Sequence, residues 1–192
     1  MKLNITSRSE IPNYLNALDY KGIGVEVGVL RGDFSRTLLQ NWNGTKLYMV
    51  DTWAHNSNNI DLNNGDHLTQ LDNFAATFRN IYEYGSKSCI LRDSSSEASK
   101  LFKDNSLDFV YLDAGHDYKS VTEDLDNWWS KIRQGGMLLG DDYIDGMLLY
   151  NGLTLFEVRR AVEDFAAKLN KEVWFSHPKE GEPSNPQFYI KK

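Results

Sequence analysis

Four side chains between Leu107 and Tyr143 are of types that do chemistry together: Asp113, His116, Asp141 and Asp142. Asp113 closes the apolar run LDFVYL, and Asp141-Asp142 closes the run MLLG. One helix-length segment separates the two runs, the spacing of a strand–helix–strand unit whose strand tips fall side by side. Three carboxylates gathered at one edge repel each other, and one must protonate unless a cation is shared. A hard divalent ion such as Mg²⁺ takes oxygen ligands in an octahedron and keeps positions for water or an acceptor. Asp113, Asp141 and Asp142 are therefore the candidate metal ligands. His116 follows Asp113 closely, and because a histidine side chain can accept a proton near neutral pH it is the candidate general base. In the simpler alternative, Asp141 and Asp142 only end a strand and Asp113 contacts a bound cofactor.

The surrounding chain supplies strands and helices that would position these groups. Strands are expected at Gly22–Val29, Lys46–Asp51, Ser88–Leu91, Leu107–Leu112 and Met137–Gly140. Helical spacing marks Gly32–Trp42, Leu68–Tyr84, Ser95–Phe102, Tyr118–Ile132 and Leu155–Leu169. In Leu68–Tyr84 the apolar face is read as Leu71, Phe74, Phe78 and Tyr82. Ser9 and Pro12 announce a short N-terminal helix, and Glu172–Ser176 and Gln187–Ile190 read as closing strands with no helix between them. Strands alternating with helices predict one α/β domain over residues 1–192, with a helical segment (1–20) before the α/β core (22–192). The polar stretch His55–Asp66 and the segment Ile144–Thr154 are expected to be loops bordering a ligand.

The chain has 192 residues, 41% hydrophobic and 25% charged, enough for one substantial core. A formal net charge of −6 argues against binding a nucleic-acid backbone. Cys89 is the single cysteine, which favours a reducing compartment. MKLNITSRSE has no apolar signal region, and no apolar run reaches the roughly 18 residues of a membrane span. The expectation is a cytoplasmic protein with no membrane or nucleic-acid partner, its oligomeric state open.

Ligands of open α/β sheets gather beyond the carboxyl ends of the strands. The first strand ends in EVGVLRGDFS, where Glu26, Gly28 and Ser35 border a tight turn. The dinucleotide fingerprint G-x-G-x-x-G is missing, and Glu26 would repel a pyrophosphate. A phosphate-free, cationic ligand fits better, and S-adenosylmethionine has a sulfonium and an ammonium. Asp51 is placed to accept from ribose hydroxyls, and Asp93 and Ser94 offer an acceptor and a donor to an adenine edge. Trp53 would either cover the adenine or pack in the core, and Tyr118 and Tyr143 would shape a substrate pocket or the core.

The ordered segments VEVGVLRGDFS, LYMVDTW, LRDSSSEA, DFVYLDAGHDYKSVTEDLDNWWSKIRQGGMLLGDDY and AVEDF resemble class I S-adenosylmethionine-dependent methyltransferases. The similarity is closest to the small branch holding macrolide-sugar O-methyltransferases and cephalosporin-hydroxylase-like proteins. The resemblance implies a Rossmann-like, seven-stranded, mostly parallel sheet with the last strand antiparallel and helices on both faces. It places Glu26 and Gly28 at the methionine end of the cofactor, Asp51 at the ribose, and Asp93 and Ser94 at the adenine. It also implies acidic or amide metal ligands at Asp113, Asp141 and Asp142, and a base in the region of His116. The function expected is metal-assisted O-methylation of a small hydroxyl compound, a sugar or catechol-like diol. Two rivals stay open: a cofactor-binding scaffold that transfers nothing, and a nicotinamide-dependent oxidoreductase.

Overall fold

The computed structural model describes residues 5–56, 63–149, 153–178 and 185–192. At its centre are β1 (Ile23–Val27) and β4 (Leu107–Leu112), each rich in residues that pack on a pleated surface. Every residue of β4 is buried, the pattern of a strand covered on both faces. Full burial of such aliphatic side chains stabilises by roughly 1.5–3 kcal/mol each. β2 (Lys46–Asp51) and β3 (Ser88–Arg92) extend the sheet on one side, and β5 (Ile132–Gly140) on the other, all parallel. β9 (Phe188–Lys191) pairs antiparallel with β5, and β8 (Val173–Phe175) pairs antiparallel with β9. The order β3-β2-β1-β4-β5-β9-β8 makes a seven-stranded sheet of the expected kind.

One face carries α1 (Ile11–Ala17), α2 (Asp33–Asn41) and α3 (His67–Ile81) over a core that includes Leu15, Leu38, Trp42, Phe109 and Tyr189. The other carries α4 (Ser95–Ser99), α5 (Tyr118–Trp129) and α6 (Val158–Lys168) over Val110, Leu125, Trp128, Val162 and Phe165. No helix among the described residues is long and apolar enough to cross a membrane.

Three sequence expectations change. Most of the predicted apolar face of α3 points outward: Leu71, Phe78 and Tyr82 are 38%, 59% and 67% exposed, and of that face only Phe74 packs inward, on Trp53. Gln70, Asn73 and Thr77 face inward beside Ala76 and Ile81, because the inner side of α3 meets polar groups: Gln70 donates to the Asn63 carbonyl, Asn73 Oδ1 accepts from Arg31, and Thr77 reaches the β1–α2 turn. Thr77 Oγ1 donates to the carbonyl of Leu30 at 3.0 Å. Secondly, α6 begins at Val158 rather than Leu155. The preceding residues form a hairpin of β6 (Asp145–Leu149) and β7 (Leu153–Glu157), apart from the main sheet, where a loop was expected. Thirdly, α5 stops at Trp129, and Ile132 already belongs to β5, whose pairing with β4 is irregular between Leu107 and Phe109.

Candidate active site

The carboxyl ends of β1, β2, β4 and β5 border a cleft of about 820 Å³, large enough for a nucleoside-sized ligand. Gly28, Asp51, Asp93, Asp113, His116, Asp141 and Asp142 all line it. Residues far apart in the chain therefore meet at one edge because each sits where a parallel strand ends.

Gly28 holds φ +85°, and a Cβ there would come within 1.8 Å of the Asp113 carbonyl oxygen. Only glycine lets the β1 turn press this closely against the end of β4. Beyond it, Asp51 organises the turn. Its Oδ2 accepts from the amides of Val29 (2.9 Å) and Leu30 (3.0 Å), and its Oδ1 from the amide of Trp53 (2.8 Å). A carboxylate has about four lone-pair sites, so one acceptor position stays available for a ligand hydroxyl. Leu30, Trp53 and Asp142 hold left-handed backbone at φ 54°, 41° and 54° around the cleft. Such conformations cost of order 1–3 kcal/mol for non-glycine residues and gather at functional sites.

Several expected cofactor residues take other positions. Glu26 is fully buried and does not line the cleft; Ser35 Oγ donates to its Oε2 beneath the wall. Burial pushes the Glu26 carboxyl up to about 8, against the opposing pull of Ser35 and Arg8. Ser94 caps α4, its hydroxyl accepting from the Glu97 amide at 3.2 Å, and Ser95 lines the cleft in its place. Trp53 is buried core: its indole donates to the Leu30 carbonyl at 2.8 Å and its ring leans on Phe74 at 5.0 Å. Tyr118 and Tyr143 lie outside the cleft lining, their hydroxyls donating to Asp164 (2.9 Å) and Glu163 (3.0 Å). Of the stretch His55–Asp66, residues 57–62 lie outside the described residues, while Asn56, Asn63 and Asn64 border the cleft.

The acidic end is tied together by groups with no sequence signature. Arg8, in a 3₁₀ turn (Arg8–Glu10) before α1, places Nη1 2.9 Å from Asp113 Oδ2 and 2.9 Å from Asp141 Oδ2. Its guanidinium lies 4.3 Å from the centroid of Phe34, a cation–π contact. Burial opposes its charge, but Tyr111, Asp113, Asp141 and Glu26 outweigh that and hold its pKa above the ordinary value. Asp141 Oδ1 accepts from Gln187 Nε2 and from the Asp142 amide, each at 3.0 Å. Burial raises the Asp113 carboxyl, with Arg8 pulling it back down and Asp141 and Asp142 pushing it further up.

His116 Nε2 lies 2.9 Å from Asp142 Oδ2, and the ring stacks on Phe156 of β7 at 4.8 Å. The hairpin is fastened to this turn, since the Glu157 amide donates to the His116 carbonyl at 2.8 Å. Asp142 Oδ1 accepts from Asn185 Nδ2 at 2.6 Å. Burial alone would raise Asp142, but the bonds from His116 and Asn185 bring it below the ordinary carboxylate value.

A shared Mg²⁺ at Asp113, Asp141 and Asp142 does not fit this arrangement. Mg²⁺ needs oxygens at about 2.1 Å in near-ideal octahedral order. Here Arg8 stands between two of the three carboxylates, and the third faces His116. The nearest ligand set among the described residues is Asp113, His116 and Asp142, whose ligand atoms lie within 4.8 Å of one another. In that set too, Asp113 Oδ2 is already engaged by Arg8.

The sheet order and an acidic cleft at its carboxyl edge are those of class I S-adenosylmethionine-dependent methyltransferases. Residues 25–143 match the family described as "Methyltransferase domain", and the chain belongs to that family. No curated protein sequence matches the chain. Solved structures share the fold at low identity. An rRNA methylase from Streptococcus thermophilus is 12% identical, with a TM-score of 0.64 over 95% of this chain and 93% of that one. An O-methyltransferase from Bacillus cereus in complex with SAH is 14% identical, with a TM-score of 0.64 over 100% of this chain and 83% of that one. The 1,6-didemethyltoxoflavin-N1-methyltransferase of Burkholderia thailandensis is 12% identical, with a TM-score of 0.58 over 96% of this chain and 76% of that one.

Proposed function

We propose that the cleft transfers a methyl group from S-adenosylmethionine to a hydroxyl oxygen of a small molecule, with His116 as general base. The observation that carries this reading is the His116–Asp142 contact at the acidic end of the same cleft that Gly28, Asp51 and Asp93 line. The bound cofactor supplies an electrophilic methyl on its sulfonium.

Around it, the chain's own residues bind and orient. Gly28 would let the methionine portion approach the β1 turn, Asp51 would offer its remaining acceptor position to the ribose, and Asp93 would border the adenine. Glu26 and Ser35 act from beneath, as a buried pair that shapes the turn. At the other end, His116 takes the hydroxyl proton as the oxygen attacks, and Asp142 stabilises the resulting imidazolium. Most of the acceleration in such a site comes from holding the reacting atoms in line. No step is assigned to a divalent ion.

A sugar or catechol-like diol suits the polar lining of Asn56, Asn63, Asn64 and Asn185. The net charge of −6 favours such a molecule over RNA, and the single Cys89 suits a cytoplasmic setting. The test is transfer of labelled methyl from S-adenosylmethionine to a panel of sugars and phenols, beside calorimetry with S-adenosylhomocysteine and NAD. Methylated hydroxyl product is expected. Cofactor binding with no product on any hydroxyl acceptor would leave a scaffold, and preferential NAD binding would overturn the reading altogether.

A further inference from the structure

We infer that Arg8 is the resident cation of the acidic end of this cleft, a guanidinium built into the chain at the position a divalent ion would need. The inference rests on reading that end as the place of methyl transfer. Arg8 Nη1 bridges the tips of β4 and β5, at 2.9 Å from both Asp113 Oδ2 and Asp141 Oδ2. Charge-assisted bonds of this length are among the strong ones. The guanidinium is also fixed from the side, 4.3 Å from the Phe34 ring centroid and 5.6 Å from that of Tyr111.

The remaining carboxylate oxygens of Asp141 and Asp142 are satisfied by hydrogen-bond donors. Asp141 Oδ1 is filled by Gln187 and the Asp142 amide, and the Asp142 oxygens by Asn185 and His116. An octahedral ion bound to Asp113 and Asp141 would have to evict Arg8 from its aromatic shelf and strip the Gln187 bond. The segment carrying Arg8 is anchored on both sides. Ile5 is buried in the core, and the Thr6 amide donates to Glu10 Oε2 at 2.9 Å. Arg8 is thus a positioning residue: it holds two strand tips and their carboxylates in register beside His116.

Mn²⁺ titration followed by electron paramagnetic resonance tests this without any turnover, so its result is separate from the fate of the methyl-transfer reading. Wild type, Arg8→Lys, Arg8→Met and Asp113→Asn would be compared with S-adenosylhomocysteine bound. Wild type and Arg8→Lys are expected to leave the free-ion signal unchanged. Arg8→Met is expected to take up Mn²⁺ at least about tenfold more tightly than wild type. Stoichiometric Mn²⁺ binding by wild type that Asp113→Asn abolishes would overturn the inference. Should Arg8→Met fail to fold, the wild-type and Asp113→Asn titrations still decide.

Discussion

His116 and Asp142 reach their 2.9 Å contact from different strands, the histidine from the turn after β4 and the aspartate from a left-handed residue after β5. The pair exists only when the parallel register of β4 and β5 places Leu112 beside Gly140. Positioning of the base is therefore a property of the sheet, with the hairpin ring of Phe156 holding the other side of the imidazole.

Replacing His116 by Ala is expected to lower kcat by about 10²-fold or more while leaving the cofactor Kd nearly unchanged. Asp142→Asn tests the carboxylate with little backbone cost, because Asn tolerates φ near +54° as Asp does. A smaller fall in kcat is expected there. Steady-state rates beside S-adenosylhomocysteine calorimetry check both, and full turnover by His116→Ala would remove the base assignment.

Asp51→Ala deprives three backbone amides of their acceptor and removes the ribose position together. Bonds to a charged group are worth roughly 1.5–3 kcal/mol. The variant should show both a lower Tm and at least about tenfold weaker binding of S-adenosylhomocysteine. A variant with normal stability and normal affinity would move the ribose site elsewhere.

Asp124 of α5 is buried, and burial raises its carboxyl to about 6 although Ser95 Oγ donates to it. Below pH 3.8, the ordinary value, folded and unfolded chains are both protonated here and folding carries no penalty. Between about 4 and 6 the unfolded chain ionises first, so stability falls, and above 6 the loss is constant. At 1.36 kcal/mol per pKa unit the loss is about 3 kcal/mol. Asp124→Asn removes this dependence, and the difference between the two urea stability curves should grow from pH 4 to 6 in favour of the variant, then level off.

α3 buries polar side chains and exposes Phe78, and the prediction follows that exposure. Phe78→Ser, on the outer side, is expected to change stability by less than about 0.5 kcal/mol. Thr77→Val loses the bonds to the Leu30 and Asn73 carbonyls and should cost about 1 kcal/mol. Chemical denaturation of the two single variants checks the order, and a larger loss at Phe78 would contradict the orientation of the helix.

The candidate site was legible wherever its residues sit at strand ends. Asp51, Asp93, Asp113, Asp141 and Asp142 could be placed on one edge because alternating strands and helices force parallel strands to end together. What one residue does once there was less legible. Glu26 is adjacent in sequence to the cleft-lining Val27 but points to the opposite side of β1, as strand alternation requires. Arg8 had no local signal at all, since its partners are chosen by tertiary docking of a segment outside the sheet. The hairpin was missed because Leu155, Val158 and Val162 continue a helical spacing backward into residues that pair as a strand. The α3 face was misread because its inner side satisfies carbonyls, a demand that hydrophobic periodicity does not record.

Arg8 and Asp141 are 133 positions apart in the chain, yet they share a single ion pair at the cleft. Closing so long a loop costs little more than closing a short one, because the entropy grows only with the logarithm of its length. The segment that carries Arg8 also places Ile5, Ile11 and Leu15 in the core against Phe109 and Tyr111 of β4. The acidic end of the cleft therefore depends on the docking of Ile5 and Ile11 in the core as much as on the strands that carry its carboxylates.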